Sequence, residues 1–225
     1  LRGEKLPSGG AAEVGNKAWN LMQLAQAGLP VPPGFVLPTG WCRTPRDPAT
    51  LRHALAAGIA RLEAATGLEF GSARRPLLVS VRSGAAVSMP GMLETVLDIG
   101  INQRSVEGLL RLTGNPRLAR DCDRRLVQGY AEVVAGLPPE QFDALLHAAV
   151  AAEGVATERE LDHRALARLA ADMREHYAAL AGAPFPAEPM EQLAAAAEAG
   201  FGSWDAPKAV AWRRLAVTWR ARCVA

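Results

Sequence analysis

The sequence predicts an α+β protein in which a small mixed sheet with helices is joined to a largely helical lobe. Three observations carry that expectation. The chain has 44 alanines among 225 residues, 17 of them between positions 151 and 200, and alanine is the strongest helix former. Two short apolar runs, Leu77–Val81 and Thr95–Ile99, are rich in β-branched residues and read as strands, the second closed by Gly100. Aromatic residues make up only 5% of the chain, which argues against an all-β sandwich or barrel.

Composition excludes other classes. With 49% hydrophobic and 21% charged residues, the chain is neither disordered nor fibrous. Its length is room for one large domain or two small ones. Twenty-five Lys and Arg against 23 Asp and Glu leave a charge of +2, too balanced to point to a nucleic-acid surface. Cys42, Cys122 and Cys223 are far apart and form no CxxC. Neither a disulfide framework nor a zinc site is expected, and a reducing, cytoplasmic compartment is. Glu, His or Arg interrupts the alanine-rich runs before the roughly 18 apolar residues that a membrane span needs. Residues 1–5 carry no apolar signal-peptide core.

Local signals place the elements in order. Residues 1–15 are glycine-rich and without clear periodicity. Leu21, Leu24 and Ala25 recur at helical spacing within Lys17–Ala27, and Gly28 is a natural stop. Leu29 to Gly34 contains three prolines, which fix φ and remove backbone donors, so it reads as a rigid turn. Phe35–Leu37 is a short strand candidate. A helix follows from Pro48 to Ala65, capped by Asp47 or Thr50 and ended by Gly67. Leu77–Val81 is expected as a buried strand, followed by a polar loop from Arg82 to Gly91. From about Ser105 to Leu180 the pattern is helical, broken at Gly114-Asn115-Pro116, at Gly136-Leu137-Pro138-Pro139 and at Gly154, with a last helix from Asp162. Pro184-Phe185-Pro186 precedes a further helix over Met190–Ala199. The change of texture at Asn102 and this proline break predict three segments: 1–103 and 187–225 form one mixed α/β lobe, and 104–186 is a helical insertion.

Few residues carry a chemical signal. Gly10 and Gly15 have the separation of a phosphate-binding loop, but Asn16 precedes Lys17 and Ala18 replaces the required hydroxyl residue, so that motif is absent. What remains is Lys17 at a helix N-terminus behind a glycine, where amides and dipole favour an anion; the alternative is a solvated lysine in a first turn. Arg82 comes directly after a strand and opens a loop, a position from which side chains reach ligands. Its planar donor fork matches phosphate oxygens, and Ser83-Gly84 adds a hydroxyl and room for close backbone approach. The alternative is an arginine paired with a nearby carboxylate. His53, His147, His163 and His176 lie in helical stretches without a ligand-spaced partner, and no Ser/His/Asp arrangement can be argued around them. Trp204, Trp212 and Trp219, set among Lys208, Arg213, Arg214, Arg220 and Arg222, read as packing residues with solvated cations, not as a nucleic-acid stacking strip.

Val79-Ser80-Val81-Arg82-Ser83-Gly84-Ala85-Ala86-Val87-Ser88-Met89-Pro90-Gly91-Met92 resembles the nucleotide-binding region of the pyruvate phosphate dikinase family. Three further blocks resemble that family in its own order. They are Gly15–Leu21 with Gly28–Phe35, then Asn115–Arg125 with Gln128-Gly129-Tyr130, then Phe201–Trp204 with Pro207–Val210 and Arg213-Arg214. The resemblance implies an incomplete ATP-grasp-like N-terminal lobe, with nucleotide-binding residues at Lys17, Arg82, Ser83, Gly84 and Met92. It also implies ATP and Mg2+ as cofactors, the metal ligands lying outside this chain. The implied enzyme phosphorylates a histidine on a separate domain and passes the phosphoryl group to pyruvate on another. The implied partners are thus ATP and the phosphohistidine and pyruvate-binding domains of the same enzyme. A homodimer is a further candidate, and neither a membrane nor a nucleic acid is expected. The chain departs from the family in two places: Gly15-Asn16-Lys17-Ala18 replaces the usual Gly-Gly-Lys-Gly, and Ala86 stands where an Arg is common. The competing reading is a stand-alone degenerate module that binds a nucleotide or a protein without catalysis.

Overall fold

The computed structural model describes residues 5–42, 47–84 and 95–222, the stretch 216–222 as backbone only. It is an α+β structure, 65% helical, with two small sheets. The helices are α1 (Ala11–Val14), α2 (Asn16–Gln26), α3 (Pro48–Thr66), α4 (Gln103–Thr113), α5 (Pro116–Val133), α6 (Pro139–Ala152), α7 (His163–Ala181), α8 (Pro189–Gly202) and α9 (Pro207–Arg222). Between α3 and α4 lie the strands β1 (Glu69–Phe70), β2 (Pro76–Leu77), β3 (Val79–Arg82) and β4 (Thr95–Ile99). β1 pairs with β2 in parallel, Glu69 opposite Pro76 and Phe70 opposite Leu77, and β3 pairs with β4. Single 3-10 turns occupy Thr39–Cys42, Glu158–Glu160 and Ser203–Asp205.

Contacts divide the chain into two compact units. Unit 1 is Leu1–Thr66, Arg82–Glu94 and Ala197–Ala225, and unit 2 is Gly67–Val81 and Thr95–Ala196. In sequence the division falls inside β3 and inside α8.

Unit 2 is built on α5, which packs against α7 and β4. Leu126, Val127 and Ala131 on α5, with Leu166, Ala170 and Met173 on α7, are wholly buried. Helix ends fall where the sequence places capping residues. Asn102 accepts from the Arg104 and Ser105 amides while Ser105 accepts from the Asn102 amide, which closes a capping box on α4. Gly114 takes the left-handed conformation that ends α4, and Asn115 caps α5 with Pro116 as its first residue. Asp162 caps α7 through the Arg164 and Ala165 amides, each at 2.8 Å. The buried Gln192 side chain on α8 accepts from the Gly100 amide at 3.1 Å and donates to the Ile101 and Pro186 carbonyls at 2.9 Å. It therefore fixes the turn after β4 against the segment before α8.

In unit 1, α3 buries Leu51, Leu55, Ile59 and Leu62 along one face, the spacing of an amphipathic helix. Its N-terminus is held by Asp47, which accepts from the Thr50 amide at 3.1 Å. Gly58 on α3 lies under the Phe35 ring, which a Cβ there would meet at 2.6 Å.

Three expectations from sequence need correction. Phe35–Leu37 forms no strand; its apolar character serves packing, with Phe35 against Gly58. Leu77–Val81 is not one strand, because pairing breaks at Leu78 and its two halves join different sheets. Nor is it buried throughout: β3 alternates half-buried and exposed residues, the pattern of a strand covered on one face. Arg82 is the last residue of β3, not the first of the loop.

Gly108 on α4 faces main chain, where a Cβ would lie 2.7 Å from the Ala73 carbonyl oxygen. Gly129 on α5 has nothing within 4 Å of the same position. Gly108→Ala is expected to lower unfolding free energy by about 1–3 kcal/mol, as overpacking outweighs the helix-propensity gain. Gly129→Ala is expected to raise it by up to about 1 kcal/mol. Urea unfolding of both variants measures the contrast.

Candidate functional site

Two glycines set the start of unit 1. Gly10 has φ 57° and Gly15 has φ 82°, values that carry a steric penalty for other residues. They bound the single turn α1, and Gly15, itself buried, lets the chain restart as α2. Lys17 lies in the first turn of α2 and is exposed. No side chain caps this N-terminus, so its first amides and the helix dipole favour an anion. The Thr39 hydroxyl contacts the α1 carbonyls of Ala12 at 2.5 Å and Glu13 at 3.1 Å. This ties the 3-10 turn Thr39–Cys42 to the residues immediately before Gly15.

Arg82 ends β3 exposed. Among the described residues, neither Lys17 nor Arg82 has an ion-pair or hydrogen-bond partner for its side chain. Among the described residues, no carboxylate meets Arg82 as the paired-arginine alternative would require. Ser83 is half-buried, and its hydroxyl donates to the Gly200 carbonyl at 3.1 Å. Ser203 donates to the same carbonyl at 2.7 Å, and the two serine oxygens lie 3.4 Å apart. Gly84 is exposed, with nothing within 4 Å of where a Cβ would stand. Met92, expected at the rim of the site, lies outside the described residues, as does Ala86. Lys17, Arg82, Ser83 and Gly84 all fall in unit 1.

The C-terminal end of α8, where Gly200 lies, and the 3-10 turn after it are braced from two sides. Phe201 packs against Trp41, ring centroids 6.3 Å apart, in the 3-10 turn that also carries Thr39. Arg213 on α9 stacks on the Trp204 ring at 4.1 Å and donates to the Trp204 carbonyl. This tryptophan–arginine pair is therefore engaged in packing within the chain; the side chains of Trp219, Arg220 and Arg222 lie outside the described residues. Ser203 falls in the Phe201–Trp204 block that resembles the family, but nothing in the sequence singles out its hydroxyl or that of Thr39, and their hydrogen bonds are visible only in the structure.

The other chemical candidates are quieter. His53, His147 and His163 are exposed on helices, and His176 hydrogen-bonds Gln141 at 2.9 Å and sits edge-on to Phe142. Among the described residues no group of three or more His, Cys, Asp or Glu side chains could hold a metal ion. No helix among them is long and apolar enough to cross a membrane. In unit 2 the Cys122 thiol donates to the Asp98 carboxylate. Burial, with the charges of Asp98 and Asp121 beside it, pushes the thiol up to about 12. Burial also raises the Asp98 carboxyl, against the pull of Arg125. Asp98, the penultimate residue of β4, takes φ 59°, a conformation Asp tolerates better than most residues.

No protein-family model matches the chain. Curated proteins do. Over 90% of its length the chain is 38% identical to pyruvate, phosphate dikinase of Clostridium symbiosum. It is 40% identical, over the same share, to the proteins of that name from Rhizobium meliloti (strain 1021) and Giardia intestinalis. The chain is a homologue of the N-terminal part of pyruvate, phosphate dikinase. It spans about a quarter of the dikinases it matches, 24% of the Clostridium protein and 23% of the other two.

The sign of the Cys122 shift gives a check. Between pH 9 and about 12 the unfolded chain loses the thiol proton before the folded one does, so stability falls as pH rises through that window. At pH 8 Cys122 is expected to alkylate at well under a tenth of the rate of a free thiol, since the thiolate is the nucleophile. Mass spectrometry after iodoacetamide treatment, native against urea-unfolded, measures the ratio.

Proposed function

We propose that this chain is the ATP-binding portion of a pyruvate phosphate dikinase-like enzyme, with Lys17 and Arg82 on the phosphates of one nucleotide. The observation that carries the reading is the pair itself: two exposed cations in one compact unit, without protein partners among the described residues, each on a braced length of main chain. Phosphoryl transfer asks the protein chiefly to position the phosphates and balance their charge. Fixed cationic donors meet that need, and a helix N-terminus beside one of them adds amide donors. Mg2+ would neutralise phosphate charge, and the reading expects its carboxylate ligands outside this chain. The same reading puts the acceptor histidine and the pyruvate site on other domains of the full-length enzyme.

The same reading makes the lobe ATP-grasp-like, with 1–103 and 187–225 serving the nucleotide and 104–186 as an insertion. It extends to Ser83, Gly84 and Met92 as nucleotide contacts. Gly84 fits a close main-chain approach because the space beside its Cα is open. A cytoplasmic setting agrees with three widely spaced cysteines and no CxxC in the sequence, and self-association into a homodimer belongs to the proposal as well.

Calorimetric titration of ATP into the complete native polypeptide tests the assignment. Arg82→Ala and Lys17→Ala are each expected to weaken binding by about 1.5–3 kcal/mol, the range for a charge-assisted contact. Unchanged affinity in both would contradict the reading, and a parent that does not bind ATP would favour a non-nucleotide module.

A further inference from the structure

We propose that Ser203 is a positioning residue for Arg82, acting through the Gly200 carbonyl and Ser83. The inference rests on the nucleotide reading of Arg82 given above.

Each serine hydroxyl has one proton. Ser83 gives its proton to the Gly200 oxygen at 3.1 Å, and Ser203 gives its own to the same oxygen at 2.7 Å. Both lone pairs of that carbonyl are then used. The 3.4 Å separation of the two hydroxyl oxygens is the contact left over when two donors converge on one acceptor. Arg82 is joined to this centre by a single peptide bond, through Ser83. Its side chain is exposed and has no partner among the described residues. Among the described residues nothing holds the guanidinium end, and the orientation of its main chain is set at Ser83.

Ser203 is placed for that role. It is 7% exposed, so water does not compete for its hydroxyl as it would at the surface. Its own turn is held by Arg213, stacked on the neighbouring Trp204 and bonded to that residue's carbonyl. The ring of Phe201, between Gly200 and Ser203, rests on Trp41. Gly200 is thus a fixed point, and the strand end is tethered to it. A rigid support under an arginine fork matters because charge-assisted contacts to phosphate are directional and weaken steeply when misaligned.

A double-mutant cycle on the complete native polypeptide tests this, with Kd for ATP by calorimetry and thermal stability measured in parallel. Ser203→Ala is expected to weaken ATP about three- to tenfold, the worth of one hydrogen bond. In an Arg82→Ala background the same substitution is expected to change Kd by less than about twofold, because its effect passes through the absent guanidinium. Ser203→Thr, which keeps the hydroxyl, is expected to restore binding to within about threefold. Equal losses from Ser203→Ala in both backgrounds, or a Thr variant as weak as Ala, would overturn the inference while leaving the nucleotide reading in place. An Arg82→Ala protein that binds ATP as the parent does overturns both. If Ser203→Ala does not fold, Ser203→Cys, which keeps the side-chain size but donates only weakly, takes its place in the cycle with the same expected coupling.

Discussion

Arg82 sits at the end of a four-residue strand with one neighbouring strand, and a two-stranded ribbon in water is marginal by itself. The strand end cannot be held by ladder bonds beyond its last residue. It is held by hydroxyl groups that donate to main-chain carbonyls. Ser83 and Ser203 meet at Gly200, and Thr39 meets Ala12 and Glu13 just before the helix of Lys17. A serine or threonine hydroxyl on a carbonyl is worth about 1 kcal/mol net, so no single bond holds the unit. The aromatic contacts supply the bulk. Trp41 against Phe201 and Arg213 against Trp204 cover the turn from which those hydroxyls act.

Unit 2 is held differently, by burial around α5 and by buried polar groups with full sets of partners. Arg124 is almost completely buried, yet its guanidinium bonds Asp121 at 2.9 and 3.1 Å and Gln128 at 2.8 Å. The buried Asp123 is met by Arg174, whose guanidinium also lies over Phe185. Phe185 packs edge-on against Tyr130 and Tyr177, with centroids 5.1 and 5.4 Å away. Removing either partner of a buried charged pair is far more destabilising than the pair is stabilising. Such residues therefore act as constraints on which packing is allowed, and the helices are registered accordingly.

What the sequence made legible follows from where local chemistry decides structure. Gly114-Asn115-Pro116 stops one helix, caps the next and supplies its first residue, because each of those residues has few conformations to choose from. Asp47, Asp162, Gly28 and Gly67 are legible for the same reason. The α+β class and the predominance of helix followed from alanine content and two β-branched runs. The failures are non-local. Phe35 reads as a strand residue because nothing near it in sequence reveals Gly58, the helix position it packs on. The break at Leu78 depends on two separate pairings, which a run of apolar residues cannot encode. The positions of Lys17 in a helix's first turn and Arg82 at a strand end were legible, because the glycine before the one and the β-branched run before the other are local signals. Ser203 was not, since its significance comes from meeting a residue 120 positions earlier in the chain.

The departures from the family pattern bear on how the nucleotide would sit. Asn16 and Ala18 are both in the first turn of α2 with helical conformation, so the glycines they replace are not needed to form the turn. Gly15, the one glycine kept before Lys17, is the one with positive φ. The central claim is that Lys17 and Arg82 serve the phosphates of one nucleotide. The chain has three lysines, Lys5, Lys17 and Lys208, all exposed, which makes a direct measurement possible. An acyl phosphate of ATP transfers its acyl group to an amine held at the phosphate site, forming an amide and releasing ATP. The account predicts that Lys17 is acylated well ahead of the other two, that excess ATP protects it, and that Arg82→Ala slows it. Equal labelling of all three lysines, untouched by ATP or by the loss of Arg82, would contradict it.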